Sequence, residues 1–181
     1  MQTIFTIGHG NRAIGEFIVL LQEADINCLV DVRAYPASRR HPQFARAALE
    51  QPLLDANIHY LWEGQALGGR RKPNKNSPHT ALGNAGFRAY ADHMLTAEFQ
   101  QALDRLLALA SGERIAIMCA ERLPWQCHRY LIADSMVAHG EKVLHLIESE
   151  KQREHQLNEV ARAEQGRVIY DKNKNLVLGF N

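Results

Sequence analysis

Short apolar runs of β-forming residues alternate with stretches of helical period along this chain, and that alternation restricts the fold more than any other feature. Thr3 to Ile7 reads as a strand that stops at the tight loop Gly8-His9-Gly10. Ile14, Phe17, Ile18, Leu21 and Ala24 then recur at the spacing of one helix face. Cys28 to Val32 is short and largely apolar, as strands buried on both faces of a parallel sheet are. Ile58–Trp62, Arg114–Met118 and Lys142–Ile147 are further strand candidates. Strands separated by helices imply βαβ units. The expected fold is an α/β, three-layer α/β/α sandwich with a mainly parallel sheet of about five strands. A (β/α)₈ barrel typically takes ~250 residues, more than the 181 here.

The intervening segments read as follows. Phe44 to Leu54 is helical in period, and Pro52 is expected to interrupt it or to split it in two. Residues 64–86 are rich in Gly, Pro, Asn and Lys and read as a long connection without evident structure, of the kind used as lids. Phe87 to Ala110 is helical, with a restart at Leu95–Ala97 for which Thr96 would be the N-cap. The segment after Cys127 is helical up to Gly140, a C′ residue. Ser149 to Ala163 is expected as a charged, exposed helix. Arg167 to Phe180 is expected as a small C-terminal hairpin turning at Asp171–Asn175. With no repeat and no internal boundary, one domain over 1–181 is expected.

Composition narrows the function classes. A net charge of +1 supplies no global attraction to nucleic acid or membrane, so any anion site must come from local clustering. Three cysteines are too few for a secreted disulfide framework. The first residues lack the basic head and cleavage site of a signal peptide, and no run approaches the ~20 apolar residues of a membrane span. A reducing cytoplasm is the expected location.

Chemistry-bearing residues gather at three strand ends. The first strand delivers His9, Asn11 and Arg12; the second delivers Asp31, Arg33, Ser38, Arg39 and Arg40. The strand at 114–118 delivers Cys119, Glu121, Cys127, His128 and Arg129. Parallel strands put all three groups at one sheet edge, where ligands of open α/β sheets bind.

These same residues resemble a family, the bacterial and archaeal domain of unknown function 488. The matching blocks are Thr6-Ile7-Gly8-His9-Gly10-Asn11-Arg12 and Asp31 through Arg39. Leu67-Gly68-Gly69 and Phe87-Arg88-Ala89-Tyr90-Ala91 follow. Last come Cys119-Ala120-Glu121, Pro124 and Cys127-His128-Arg129. The blocks keep the family's order across nearly the whole chain. The resemblance implies kinship and carries no activity with it.

Spacing tests the cysteine chemistries. Six positions beyond Cys119 stands Trp125, and six beyond Cys127 stands Ala133, so no phosphatase-type Cys–Arg loop is present. Seven residues separate Cys119 from Cys127, which excludes a Cys-x-x-Cys redox pair. The Walker A and Rossmann glycine patterns are absent. Cys127 stands near a helix N-terminus beside His128 and Arg129, a setting that favours thiolate; packing is the alternative. Cys28, in an apolar strand, is expected to be buried and inert.

Cys119, Cys127, His128 and His9 are soft and borderline donors suited to zinc or iron. Their spacing matches no common zinc pattern, and His128, adjacent to Cys127 on a helix, is expected to point partly away. No metal ligand is assigned on this basis.

Arg12, Arg33, Arg39 and Arg129 suit a phosphate or carboxylate, because the guanidinium fork pairs bidentately with oxyanions. The alternative is that Asp31 and Glu121 neutralise them in structural ion pairs. The basic run Arg70 to Lys75 either extends the site along a nucleic-acid backbone or is a solvated face. His79 and His155 read as surface histidines.

The leading expectation is an enzyme for an anionic, phosphate-bearing substrate such as a nucleotide or nucleic acid. His9, Asn11, Arg12, Asp31, Arg33, Ser38, Arg39 and Arg129 would form the binding set. Cys119, Cys127, Glu121 and His128 would supply nucleophile or ligand and proton transfer. The alternatives are a non-catalytic nucleotide or nucleic-acid binding module and a metal-dependent hydrolase. The cofactor is left open, and no membrane partner is implied.

Overall fold

The structure, a computed structural model, describes residues 1–37 and 39–172. A six-stranded sheet runs through the middle of the fold in the order β3-β2-β4-β1-β5-β6. Its strands are β1 (Thr3–Gly8), β2 (Cys28–Asp31), β3 (His59–Trp62), β4 (Ile115–Cys119), β5 (Lys142–Glu148) and β6 (Lys151–Glu154). The first five are parallel to one another, and β6 returns antiparallel to β5. A separate two-stranded antiparallel ribbon joins β7 (Ala161–Glu164) to β8 (Arg167–Tyr170). The expected α/β sandwich with a mainly parallel sheet and a small C-terminal hairpin is the fold observed.

Period-two alternation sends successive side chains of the inner strands into two different cores. Phe5, Ile7, Leu29, Ala116 and Met118 face one layer, made by α1 (Ile14–Glu23) and α2 (Arg46–Asp55). Ile4, Val30, Val32, Ile115 and Ile117 face the other. That second layer contains α4 (Ala85–Met94), α5 (Ala97–Gly112) and α6 (Arg129–Ala138), following the short α3 (Gly64–Leu67). Residues that read as unbroken apolar runs are therefore strands with both faces covered. β3, an edge strand, carries His59, Leu61 and Trp62 exposed.

Helix boundaries follow local chemistry. Thr96 caps α5, its hydroxyl accepting from the Phe99 amide at 3.3 Å, and Asn84 caps α4 in the same way at 3.0 Å. The restart expected at Thr96 is the actual break between two helices. Gly140 follows α6 with φ +86°, the left-handed conformation that a C′ glycine adopts at little cost.

Five expectations are corrected. Pro52 lies inside α2 without breaking it, because it removes one amide donor near the last turn and the helix ends only three residues later. Ser149–Ala163 is not a helix: it contains β6, whose exposed Lys151-Gln-Arg-Glu154 side chains cover a sheet edge. The hairpin is built from 161–170 and turns at Gln165-Gly166, both at positive φ. The expected turn at Asp171–Asn175 and the rest of that arm lie largely outside the described residues. Within residues 64–86, Gly64–Leu67 is helical and His79 is fully buried, accepting from the Tyr170 amide at 3.2 Å. His155 is also buried.

No helix among the described residues is long and apolar enough to cross a membrane.

Candidate active site

Parallel register brings the strand ends together. Gly8 pairs with Cys119 and Asp31 with Met118, so the residues that follow β1, β2 and β4 leave the sheet side by side. A cavity of about 650 Å³ opens at this edge, its wall contributed by His9, Arg33, Cys119, Glu121, Cys127 and His128. Arg40, His41, Arg70, Phe87 and Arg122 also line it. Small-molecule sites commonly occupy ~300–1,000 Å³. The 64–86 connection reaches the site through Gly69 and Arg70.

At the floor, three side-chain donors converge. Cys119 Sγ and Cys127 Sγ each lie 3.6 Å from His128 Nδ1. All three atoms are within 4.8 Å of one another. The expectation that His128 would point away from Cys127 is corrected. Cys127 is extended (φ −134°, ψ 147°) after the 3₁₀ turn Pro124–Gln126, and His128 is the first residue with helical dihedrals. The helical offset between neighbours therefore does not apply, and both side chains face one point. The other imidazole nitrogen, Nε2, lies 3.2 Å from the carbonyl of Val32. A carbonyl only accepts, so Nε2 carries the proton and Nδ1 presents its lone pair to the thiols.

The thiols are inequivalent. Burial raises the Cys127 thiol, but the neighbouring Cys119 and His128 and the charge of Arg129 outweigh it and hold Cys127 well below the usual thiol range. The bond to Cys127, with burial, pushes Cys119 well above that range. Glu121 Oε2 also lies close to Cys119, 3.1 Å from its Sγ. Burial, then the neighbouring Cys127, raises the Glu121 carboxyl. Cys28 lies at the far end of β2, its thiol pushed up to about 12 by burial and then by Glu113, as an inert packed thiol should be.

The binding set is only partly assembled as expected. His9 and Arg33 line the cavity. Arg33 is already engaged, donating from Nε and Nη2 to Asp31 and from Nη1 to His9 Nε2 at 3.3 Å. Burial, then the Arg33 charge against the bond to Gly10, brings His9 down to about 4, so its ring is neutral and accepts. Asp31 is fully buried and serves Arg33 and the Tyr60 hydroxyl, not the cavity.

Arg12 and Arg129 are corrected as anion holders. Arg12 is 2% exposed and donates to the carbonyls of Gly8 and Ile147; Arg129 is 1% exposed and donates to those of Glu121 (2.6 Å) and Arg122 (2.9 Å). Both guanidinium groups are spent tying the strand-end loops together. Asn11 and Arg39 are exposed and lie outside the cavity wall. Ser38 lies outside the described residues.

Sequence reasoning missed Arg122, His41 and Phe87 as wall residues. It noted Arg40 and Arg70 without placing them in the binding set. Four arginines (33, 40, 70 and 122) thus line the cavity against the single carboxylate of Glu121. Arg122 also approaches Glu148 at 3.5 Å, a pair exposed on both sides and therefore weak.

Against known proteins, the family model described as Domain of unknown function DUF488 matches residues 13–136. No curated protein and no solved structure matches the chain.

Proposed function

We propose that this chain, which belongs to the DUF488 family of domains of unknown function, is a cytoplasmic enzyme acting on a small phosphate-bearing molecule such as a nucleotide. The observation that carries the reading is a division of labour within one cavity. Cationic Arg40, Arg70 and Arg122 stand on its wall, and the Cys119–Cys127–His128 trio with Glu121 occupies its floor. Guanidinium groups hold an oxyanion bidentately and in a fixed orientation. A half-buried imidazole, buried thiols and a carboxyl whose proton affinity is raised are the groups that move protons or bond to a reacting centre. A cavity of about 650 Å³ favours a small molecule over a duplex. Three free thiols fit a reducing compartment.

The test is calorimetric titration of the full chain with inorganic phosphate, pyrophosphate and nucleoside mono-, di- and triphosphates. The same panel is then applied to an Arg40→Ala/Arg70→Ala double variant. Arg40 and Arg70 are both exposed, so the fold should tolerate both changes. At least one phosphate compound should bind, and the double variant should bind it ten-fold or more weakly. Equal affinity in the two proteins, or no binding by either, overturns the reading.

A further inference from the structure

We propose that Cys119 Sγ, Cys127 Sγ and His128 Nδ1 are the three protein ligands of a zinc-class divalent ion whose fourth position opens into the cavity. Both sulfur–nitrogen separations fit a tetrahedral ion. Tetrahedral zinc with Zn–S about 2.3 Å and Zn–N about 2.0–2.1 Å places sulfur and nitrogen about 3.6 Å apart. Both sulfur–nitrogen separations here are 3.6 Å. A set of two cysteines and one histidine with an open fourth position is a known ligand class for catalytic zinc.

The surroundings are those a metal site requires. The Val32 carbonyl accepts from His128 Nε2, which leaves Nδ1 free to ligate and fixes the ring's direction, as the outer partner of a ligating histidine does. The Arg129 amide points at Cys127 Sγ at 3.5 Å, an outer hydrogen bond to a ligand sulfur. Charge closes as well: a divalent cation, two thiolates and a neutral imidazole sum to zero. That is the inexpensive way to hold an ion among residues as buried as Cys119 (4% exposed) and Cys127 (2%). Binding releases the thiol protons to solvent, at most two per ion.

Glu121 Oε2 lies 3.1 Å from Cys119 Sγ and lines the same cavity, so its carboxylate would serve as base toward a water on the bound ion. That hydrolytic use rests on the function proposed above; the metal site itself stands on the three donors and their partners.

The experiment uses the full-length protein purified without chelator under reducing conditions. Elemental analysis should give about one zinc per chain. Replacing zinc with cobalt(II) should produce thiolate-to-cobalt charge-transfer absorption and the intense visible bands of a tetrahedral centre. Competition with a chromophoric chelator should show Cys119→Ser, Cys127→Ser and His128→Gln each weakening zinc by ten-fold or more, while Cys28→Ser keeps wild-type affinity. Circular dichroism of each variant separates a lost ligand from a lost fold. A folded, reduced wild type that takes up neither zinc nor cobalt overturns the assignment, as does a Cys119–Cys127 disulfide whose reduction restores no metal uptake. Phosphate titrations of the zinc-free protein keep the two proposals apart: retained phosphate binding without metal uptake removes the metal site alone, and metal uptake without phosphate binding removes the substrate reading alone.

Discussion

Asp31 grips Arg33 with both carboxylate oxygens, at 2.9 Å to Nε and 2.6 Å to Nη2, and a third bond of 3.0 Å reaches the Arg33 amide. The pair is buried, with Arg33 6% exposed and Asp31 fully enclosed. Removing one partner strands a buried charge, so Asp31→Ala should cost about 3–5 kcal/mol. Tyr60→Phe, which removes one donor to the same carboxylate, should cost about 1 kcal/mol. Urea denaturation of both variants checks the order and the sizes.

A second buried relay predicts how stability depends on pH. His155 Nε2 faces Asp134 Oδ1 at 3.0 Å, and the carboxylate only accepts. His155 Nδ1 meets His145 Nε2 at 3.0 Å, and His145 Nδ1 meets the Thr6 hydroxyl at 2.7 Å. Both nitrogens of the buried His145 ring are thus engaged inside the protein. Burial, then His155, Arg129 and Arg153, lower its pKa from 6.5 to about 3. Between those values the unfolded chain binds the proton and the folded chain does not. Stability therefore falls as pH drops below about 6.5, with a slope of up to ~1.4 kcal/mol per unit from this group. Urea midpoints at pH 7, 6 and 5 should show the fall, and His145→Gln should make it shallower, leaving the share of His9, whose pKa is also lowered.

Gly69 is pressed against the His128 ring. A Cβ there would stand 2.6 Å from Nδ1, inside any real contact distance. Gly69→Ala should displace the imidazole, lower cobalt affinity ten-fold or more, and destabilise by about 1–3 kcal/mol. The absorption of the cobalt-loaded variant and its urea midpoint measure the two effects separately.

Thr96→Ala supplies a contrast remote from the cavity. Loss of the α5 cap should cost about 1 kcal/mol. Phosphate and cobalt affinities should stay at wild-type values in the calorimetric and chelator assays.

What was legible in the sequence was whatever depends on local period and on strand order. The runs at 3–7, 28–32 and 114–118 were readable because both their faces are covered, and their C-terminal ends located the cavity. β6 was not, since Lys151-Gln-Arg-Glu154 is an exposed edge strand without apolar alternation, and its charges imitate a solvated helix. All four of the residues assigned to catalysis line the cavity, but their convergence depended on one extended residue, Cys127, that no periodicity announces. The arginines misled for a different reason. Arg12 and Arg129 stand beside the site in sequence, yet their guanidinium groups turn back onto backbone carbonyls, a choice made by tertiary contacts alone. Arg70 stood in a loop with no sequence link to the strand ends and is carried to the wall by the packing of 64–86.

The position of β1 between β4 and β5 has a consequence for the order of assembly. Gly8 and Cys119 are register partners, and Ile7 lies beside Leu146. During synthesis the first strand must wait for more than half of the chain before either neighbour exists. Such long-range pairings close slowly, because the loop entropy is lost before any contact compensates it. The cavity floor is therefore a late product of folding, and until β1 docks, Cys119 and Cys127 are thiols of an unfinished sheet, open to solvent and to oxidation.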